Sequence, residues 1–167
     1  MKVISGGQTG VDMAALRAAK GAGITTGGWA PRGFKTQSGP MLFLGDMYGL
    51  KEHASDTYKA RTYSNVKDSD ATLRIAYTFK SPGEICTLNA IHRFGRPHLD
   101  IQLPLSQPQV LVVDSIVKWL RINGVRVLNV TGNSEKTHPG LGEETFVLLR
   151  ALFKYCNENR PITNEPF

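Results

Sequence analysis

Short apolar runs alternate along the chain with longer stretches in which apolar positions recur at helical spacing. Five apolar runs predict β-strands, at residues 2–5, 24–29, 71–77, 98–103 and 126–132. Five longer patterns predict α-helices, at residues 11–22, 56–66, 81–94, 110–123 and 142–157. Strands that alternate with helices in this way predict a Rossmann-like, doubly wound α/β domain, with a mainly parallel sheet and helices on both faces.

Two segments lack such a pattern. Residues 34–55 mix polar and apolar positions, which predicts a long irregular loop of the kind that often carries function in α/β domains. Residues 160–167 are interpreted as a polar tail. No repeat, low-complexity tract or change of composition divides the chain, so we expect a single domain over residues 1–167.

Composition and charge narrow the class of ligand. The chain is 41% hydrophobic and 20% charged, which is typical of a globular protein. The apolar start is too short for a signal peptide, and no apolar run approaches the ~20 residues that span a bilayer, so we expect a cytoplasmic protein without membrane contact. The formal net charge is +6, but the Lys and Arg residues are spread singly rather than in a basic run. This distribution favours an anionic small molecule over nucleic acid.

The cysteines and histidines do not indicate a metal site. Cys86 and Cys156 form no Cys-x-x-Cys pair, and the four histidines lack the spacing of metal ligands. No histidine stands at a recognisable distance from Cys86, so this residue is interpreted as a small core residue rather than a nucleophile. We expect no metal ion held by protein ligands alone.

The first predicted strand runs directly into a glycine-rich turn. Glycines let backbone N–H groups approach an anion closely, and the helix that follows adds a partial positive charge. The order and spacing of residues in this turn exclude a Walker A loop and a full G-x-G-x-x-G fingerprint. A plain tight turn, with Thr9 as N-cap and Asp12 completing a capping box, is the alternative. The predicted phosphate-binding residues of this turn are Gly6, Gly7, Gln8, Thr9 and Gly10.

An anion site also needs a cation. Two further turns, each of which follows a predicted strand, carry hydrogen-bond donors suited to an anion. Arg32 and Lys35 follow the second strand and are the cations expected nearest to the first turn. The turn at residues 81–87 is either a ligand site or a helix cap, and its Glu84 would repel an anion. The turn after the fifth strand offers hydroxyl, amide and backbone donors from Thr131, Gly132, Asn133 and Ser134.

Four segments carry a resemblance to a known family. They are Ile4-Ser5-Gly6-Gly7-Gln8-Thr9-Gly10-Val11-Asp12, Gly28-Trp29-Ala30-Pro31-Arg32-Gly33, the segment Asn65-Val66-x-Asp68-Ser69-Asp70-Ala71-Thr72, and Val127-Leu128-Asn129-Val130-x-Gly132. In this order they resemble the molybdenum carrier (molybdenum cofactor carrier protein) family. That family is a branch of the Rossmann-like superfamily that also contains the lysine-decarboxylase-like LOG proteins. The resemblance extends from about Val3 to Leu152.

The resemblance implies a function as well as a fold. The ligand would be molybdenum cofactor, a pterin dithiolene with a terminal phosphate, which the protein would bind, protect and hand on to apo-molybdoenzymes without transforming it. Gly83 and Thr87 are carried over from the family as cofactor-binding residues. The family's relatives often have Gly-Gly-Thr in that second turn, whereas this chain has Gly83-Glu84-Ile85-Cys86-Thr87.

Two other functions remain open on the same fold. A sensor of a nucleotide-derived ligand needs the same phosphate turn. A LOG-type hydrolase of nucleoside monophosphates needs a catalytic Glu, near whose expected position this chain has Asn89. We also expect a homo-oligomer, because a symmetric partner would cover apolar positions of the helices at residues 110–123 and 142–157.

Overall fold

The computed structural model describes residues 1–159, so the predicted polar tail at residues 160–167 lies outside the described residues. The strands are β1 (Lys2–Ile4), β2 (Thr25–Ala30), β3 (Lys35–Thr36), β4 (Gly39–Pro40), β5 (Leu50–Glu52), β6 (Ala71–Ala76), β7 (His98–Gln102) and β8 (Val127–Gly132). The α-helices are α1 (Val11–Gly21), α2 (Phe43–Tyr48), α3 (Tyr58–Lys67), α4 (Pro82–Phe94), α5 (Gln109–Ile122) and α6 (Leu141–Glu158). A short 3₁₀ helix at Arg32–Phe34 follows β2.

Six of the strands form one parallel sheet in the order β5-β2-β1-β8-β6-β7. From β1 the chain moves outward through β2 to β5, and it then returns to the other side of the sheet with β6 and β7. The last strand, β8, closes the gap between β1 and β6. The prediction of a Rossmann-like, doubly wound α/β fold is therefore confirmed. Ligands of such sheets bind where the strand order reverses, beyond the carboxyl ends of the strands, which here are the ends of β1, β6 and β8.

The two faces of the sheet differ in polarity. Helices α1, α5 and α6 cover an apolar face, on which Val3, Leu73, Ile75, Leu128 and Val130 join a continuous core. Helices α3 and α4 cover the opposite face, where alternate strand positions carry buried polar side chains. Those side chains are Thr72, Arg74, Asn129 and Thr131. Stability alone does not explain a polar layer beneath two helices, because burying a polar group costs free energy unless it has a hydrogen-bond partner.

The segment at residues 34–55 is more regular than its sequence predicts. It contains the β3–β4 hairpin, helix α2 and the edge strand β5, which pairs with β2. The prediction of an irregular loop was wrong because these elements are short. In β5 only Leu50 is buried, so no alternation of polar and apolar positions marks it. Among residues 1–159, no helix combines the length and apolar character that a bilayer span requires.

Candidate functional site

The glycine turn after β1 is held by hydrogen bonds within the protein. The Gln8 N–H donates to Asp12 Oδ2 at 3.2 Å, the Thr9 N–H to Gln8 Oε1 at 3.0 Å, and the Val11 N–H to the Asn133 carbonyl at 3.3 Å. Helix α1 begins after Gly10 without a side-chain cap, so Thr9 is not the N-cap of the alternative interpretation. Asp12 does reach back to the turn, as that interpretation expected. Two N–H groups of the predicted phosphate-binding turn, those of Gln8 and Thr9, and that of Val11 at the start of α1 are thus already paired.

Arg61 of α3 is the cation that lies against this turn. A Cβ on Gly6 would stand 1.8 Å from Arg61 Nη1, so the absence of a side chain at Gly6 makes room for the guanidinium. Nη1 lies 3.2 Å from Asp12 Oδ2 in a buried ion pair. Burial raises the pKa of Asp12, and the Arg61 charge and the hydrogen bond from the Gln8 N–H oppose that rise.

Arg32 and Lys35 do not occupy the position expected of them. Both are exposed, in and just after the 3₁₀ helix that carries the chain outward from β2. The Arg32 N–H donates to the Ser55 carbonyl, and Lys35 Nζ lies 6.0 Å from the centre of the Tyr58 ring. Because that connection leads out towards the edge strand β5, it carries both cations away from the first turn. Arg61, from the helix that precedes β6, takes their place.

The second turn, at residues 81–87, contains the capped N-terminus of helix α4. Ser81 Oγ accepts a hydrogen bond from the Glu84 N–H at 3.4 Å, and α4 begins at Pro82. Thr87 Oγ1 donates to the Gly83 carbonyl at 3.1 Å, one turn back along the helix. The Glu84 side chain turns inward and is only 2% exposed, although an acidic residue in a first helical turn is ordinarily solvated.

Glu84 lies beside a second buried ion pair. Arg74 of β6 forms a two-pronged ion pair with Asp100 of β7, and its Nη1 also donates to the Glu84 carbonyl at 3.1 Å. The same Nη1 is 3.7 Å from Glu84 Oε2, which has no hydrogen-bond partner. Burial raises the pKa of Glu84 to about 7, against the lowering effect of the Arg74 charge. The carboxyl is therefore divided between its neutral and ionised forms near neutral pH.

The third turn connects β8 to the other two. Asn133 Oδ1 accepts hydrogen bonds from the Tyr77 and Thr78 N–H groups, and its Nδ2 donates to the Thr78 carbonyl at 3.0 Å. Ser134 Oγ and Thr137 Oγ1 lie 2.9 Å apart. Asn133 thus fixes the turn after β8 to the turn after β6, at the place where the strand order reverses.

A cavity of about 600 Å³ opens between these turns and helices α3 and α4, and is here called the ligand cavity. Seven of the predicted site residues line it: Gln8, Gly83, Thr87, Thr131, Gly132, Asn133 and Ser134. Six do not: Gly6, Gly7, Thr9, Gly10, Arg32 and Lys35. Thr9 and Gly10 instead line a separate cavity of about 190 Å³ beside α6. Ligand binding by any of these residues stays a prediction.

One wall of the ligand cavity was not predicted from the sequence. Helix α3 contributes Tyr58, Lys59, Arg61 and Thr62. A signal for this wall exists in the sequence, since the buried positions Arg61, Thr62 and Asn65 share one face of α3 and are polar where a helix ordinarily carries apolar residues. Gln37, Ser81, Pro82, Glu84 and Thr137 also line the cavity.

Cys86 was interpreted as a core residue, but it is only half-buried and lines the ligand cavity. Burial raises the pKa of its thiol, against the charges of Lys59 and Arg61, so the neutral thiol prevails at pH 7 and its nucleophilicity is low. Within residues 1–159, no group of three or more His, Cys, Asp or Glu side chains is placed to hold a metal ion.

The fold and the ligand cavity define a class: a Rossmann-like α/β protein with a cavity, lined by polar and charged residues, at the carboxyl ends of a parallel sheet. The chain belongs to the circularly permuted YpsA SLOG family, whose model matches residues 3–153. It is also similar to the crystal structure of a protein described as "Putative molybdenum carrier protein" from Syntrophus aciditrophicus SB. That similarity has 33% sequence identity and a TM-score of 0.83, and covers 90% of this chain and 93% of the other. Together these similarities confirm the family resemblance. No curated protein sequence matches the chain.

Proposed function

We propose that this protein binds molybdenum cofactor as cargo in the ligand cavity, protects it, and delivers it to apo-molybdoenzymes without transforming it. The observation that carries the proposal is a cavity lined by polar and cationic residues, in a chain that is 33% identical to a protein described as "Putative molybdenum carrier protein". The cavity's volume of about 600 Å³ lies within the range of small-molecule sites.

The residues of the cavity suit the two chemical parts of such a cargo. Lys59 and Arg61 supply positive charge for the terminal phosphate, and Thr131, Ser134 and Thr137 supply hydroxyl groups. The ring of Tyr58, 37% exposed at the cavity wall, offers a flat apolar surface for the pterin. The glycine turn then acts indirectly, because Gly6 leaves the space that Arg61 occupies.

Protection follows from burial and delivery from moderate affinity. A cavity between turns and helices excludes water and oxygen from a dithiolene, which slows its oxidation. A carrier must also release its cargo, so we expect micromolar affinity, about −8 kcal/mol, rather than picomolar affinity.

The test is the lifetime of free molybdenum cofactor in air, measured by transfer to an apo-molybdoenzyme, with and without the protein. We expect the wild-type protein to extend that lifetime several-fold. Lys59→Gln removes a cation from the cavity wall and is expected to reduce protection. Lys67→Gln is the matched control, because Lys67 lies on the same helix, is exposed and does not line the cavity.

A thermal-shift panel of nucleotides, run in parallel, separates the carrier from a nucleotide sensor. No extension of cofactor lifetime, together with strong stabilisation by one nucleotide, would contradict the carrier function and support the sensor. Protection by wild-type and Lys67→Gln proteins but not by Lys59→Gln protein would support the carrier and place its cargo in the ligand cavity.

Glu84 favours a second candidate function. A buried carboxyl with a pKa of about 7 has the properties of a general acid, which a hydrolase of nucleoside monophosphates requires. Incubation of the purified protein with AMP tests this function. Release of adenine at enzyme-like turnover, lost in Glu84→Gln, would support the hydrolase, and its absence leaves the carrier.

A further inference from the structure

Glu84 is a buried acid whose charge is incompletely compensated. Its Oε2 atom accepts no hydrogen bond, and the nearest cationic nitrogen, Arg74 Nη1, is 3.7 Å away. Arg74 cannot move closer without loss, because its other nitrogens are bonded to Asp100 and its Nη1 to the Glu84 carbonyl. Leaving a buried acceptor unpaired costs stability, and the Arg74 charge at 3.7 Å compensates the Glu84 carboxylate only in part, without supplying that hydrogen bond.

Charged groups act on Glu84 from several elements around it. They are Asp12 of α1, Arg61 of α3, Arg74 of β6 and Asp100 of β7. Lys59 of α3 lines the same cavity. Two more titratable groups are neutral near pH 7, because burial lowers the pKa of His98, beside Asp100, and raises that of Cys86 on α4 itself. Burial also raises the pKa of Asp12, so the net charge of this group depends on more than one carboxyl. A proton on Glu84 makes the group more positive by one charge.

We propose that Glu84 is the proton-linked residue of the ligand cavity: an anionic group binds there together with one proton, which Glu84 takes from solvent, and loss of that proton promotes release. The inference rests on the proposed function, since it concerns how the phosphate-bearing cargo is held and released. The ligand class is a dianion of phosphate type, because the cavity wall is more positive by one charge when Glu84 is protonated than when it is ionised.

The Glu84 carboxyl binds and releases its proton near neutral pH. Burial raises the pKa of Glu84 to about 7 before any anion enters, and a negative charge in the cavity raises it further. Linkage then requires that anion affinity be constant well below pH 7 and fall above it, approaching about tenfold per pH unit. A cargo protein with this property loads in mildly acidic conditions and releases as the pH rises.

Sulfate is the appropriate probe, since it is a tetrahedral dianion that does not itself titrate between pH 6 and 8. Calorimetry in two buffers of different ionisation enthalpy gives both the affinity and the number of protons taken up. For the wild-type protein we expect sulfate to bind roughly tenfold more tightly at pH 6 than at pH 8. We also expect uptake of about one proton at pH 8 and almost none at pH 6.

The variants identify the residue. Glu84→Gln should bind sulfate equally at both pH values and take up no proton. Glu143→Gln, which removes an exposed carboxyl outside the cavity, should behave as wild type. If Glu84→Gln fails to fold, Glu84→Asp keeps a carboxyl group at this position and should keep the pH dependence of sulfate affinity. The number of protons that the wild-type protein takes up on binding then tests the proposal.

The outcomes separate the two proposals. Equal wild-type affinity at pH 6 and 8, or an unchanged pH dependence in Glu84→Gln, overturns the proton linkage and leaves the cargo function standing. No sulfate binding by wild type at either pH overturns the proton-linked anion site, and the cofactor-lifetime assay decides the cargo function separately. Linked sulfate binding without protection of molybdenum cofactor retains the proton-linked anion site and rejects the cargo.

Discussion

Five buried polar atoms among residues 1–159 have no hydrogen-bond partner: Arg61 Nε, Glu84 Oε2, Arg96 Nε, Asn129 Oδ1 and Thr145 Oγ1. Each such atom costs about 1–3 kcal/mol in a folded protein. Two of the five, on Arg61 and Glu84, belong to residues that line the ligand cavity. Side chains that lower stability yet sit at a cavity wall are typical of a binding site, where a ligand supplies the missing partner or charge.

The first prediction concerns the pH dependence of stability. Because the folded-state pKa of Glu84 is about 7 and its ordinary value is 4.5, the folded protein holds this proton more tightly than the unfolded chain does. Ionisation of Glu84 therefore lowers the free energy of unfolding as the pH rises from about 4.5 to 7, by roughly 3 kcal/mol. Glu84→Gln removes this loss.

Urea unfolding at pH 4.5 and 7.5 measures the effect. We expect the stability of Glu84→Gln relative to wild type to increase by about 3 kcal/mol between these pH values. The pKa of Asp12 is raised as well, and its charge acts on Glu84, so the measured difference includes any change in Asp12 ionisation that the substitution causes. A stability difference that is the same at both pH values would show that Glu84 ionises normally.

At the scale of elements, the site depends on how two helices begin. Helix α1 follows Gly10 and helix α6 follows Gly140, and both glycines have φ near +90°. Around Gly10 the turn after β8 packs closely: a Cβ there would lie 2.6 Å from the Glu135 nitrogen and 2.7 Å from the Asn133 oxygen. Around Gly140 there is open space. Gly10 is therefore needed for contact between turns as well as for its backbone conformation.

The second prediction compares these two glycines, which share a positive φ but differ in ψ, −128° at Gly10 and −13° in the left-handed region at Gly140. Gly140→Ala should lower the free energy of unfolding by about 1–2 kcal/mol, the cost of a positive φ alone. Gly10→Ala should lower it by about 3 kcal/mol or more, since backbone atoms must also move. Equal losses, measured by urea unfolding, would mean that the two turns are not packed as the structure has them. A bulky residue at Gly10 consequently disturbs the fold before it tests binding.

At the scale of the whole molecule, apolar residues are exposed on helix α5. Val110 is 71% exposed and Ile122 is 83% exposed, at opposite ends of this helix. Contact with a second copy of the chain would remove this apolar surface from water. We expect a dimer or tetramer, in which light scattering at micromolar concentration gives at least twice the mass of the chain.

The third prediction identifies the surface. Ile122→Glu should shift the assembly towards monomer, because burying the carboxylate in an apolar contact is unfavourable. Leu42→Glu is the control, since Leu42 is 69% exposed but lies before α2, away from α5. A monomeric wild-type protein would contradict the expectation of an oligomer, and an unaffected Ile122→Glu oligomer would place the contact elsewhere.

The sequence by itself determined the class of fold and the ends of the strands that build the site. Hydrophobic periodicity locates every long element to within a few residues, because burial against a sheet imposes it directly on the sequence. It also indicates the turns after β1, β6 and β8, since the carboxyl ends of parallel strands meet at one edge. The short elements at residues 35–52 escaped because two- and three-residue strands bury too little to leave a pattern.

Only the tertiary structure decided which groups face the ligand cavity. The glycine turn and the start of α1 suggested free N–H groups. In the folded chain three of these N–H groups donate hydrogen bonds to Asp12, Gln8 and Asn133. The sequence placed Arg32 and Lys35 nearest to the anion, whereas α3 brings Arg61 there from a distant segment. The sequence left Glu84 out of the site, as an acid in a first helical turn that would repel an anion. Packing of α4 against Arg74 buries it, and burial is what makes its proton available near neutral pH.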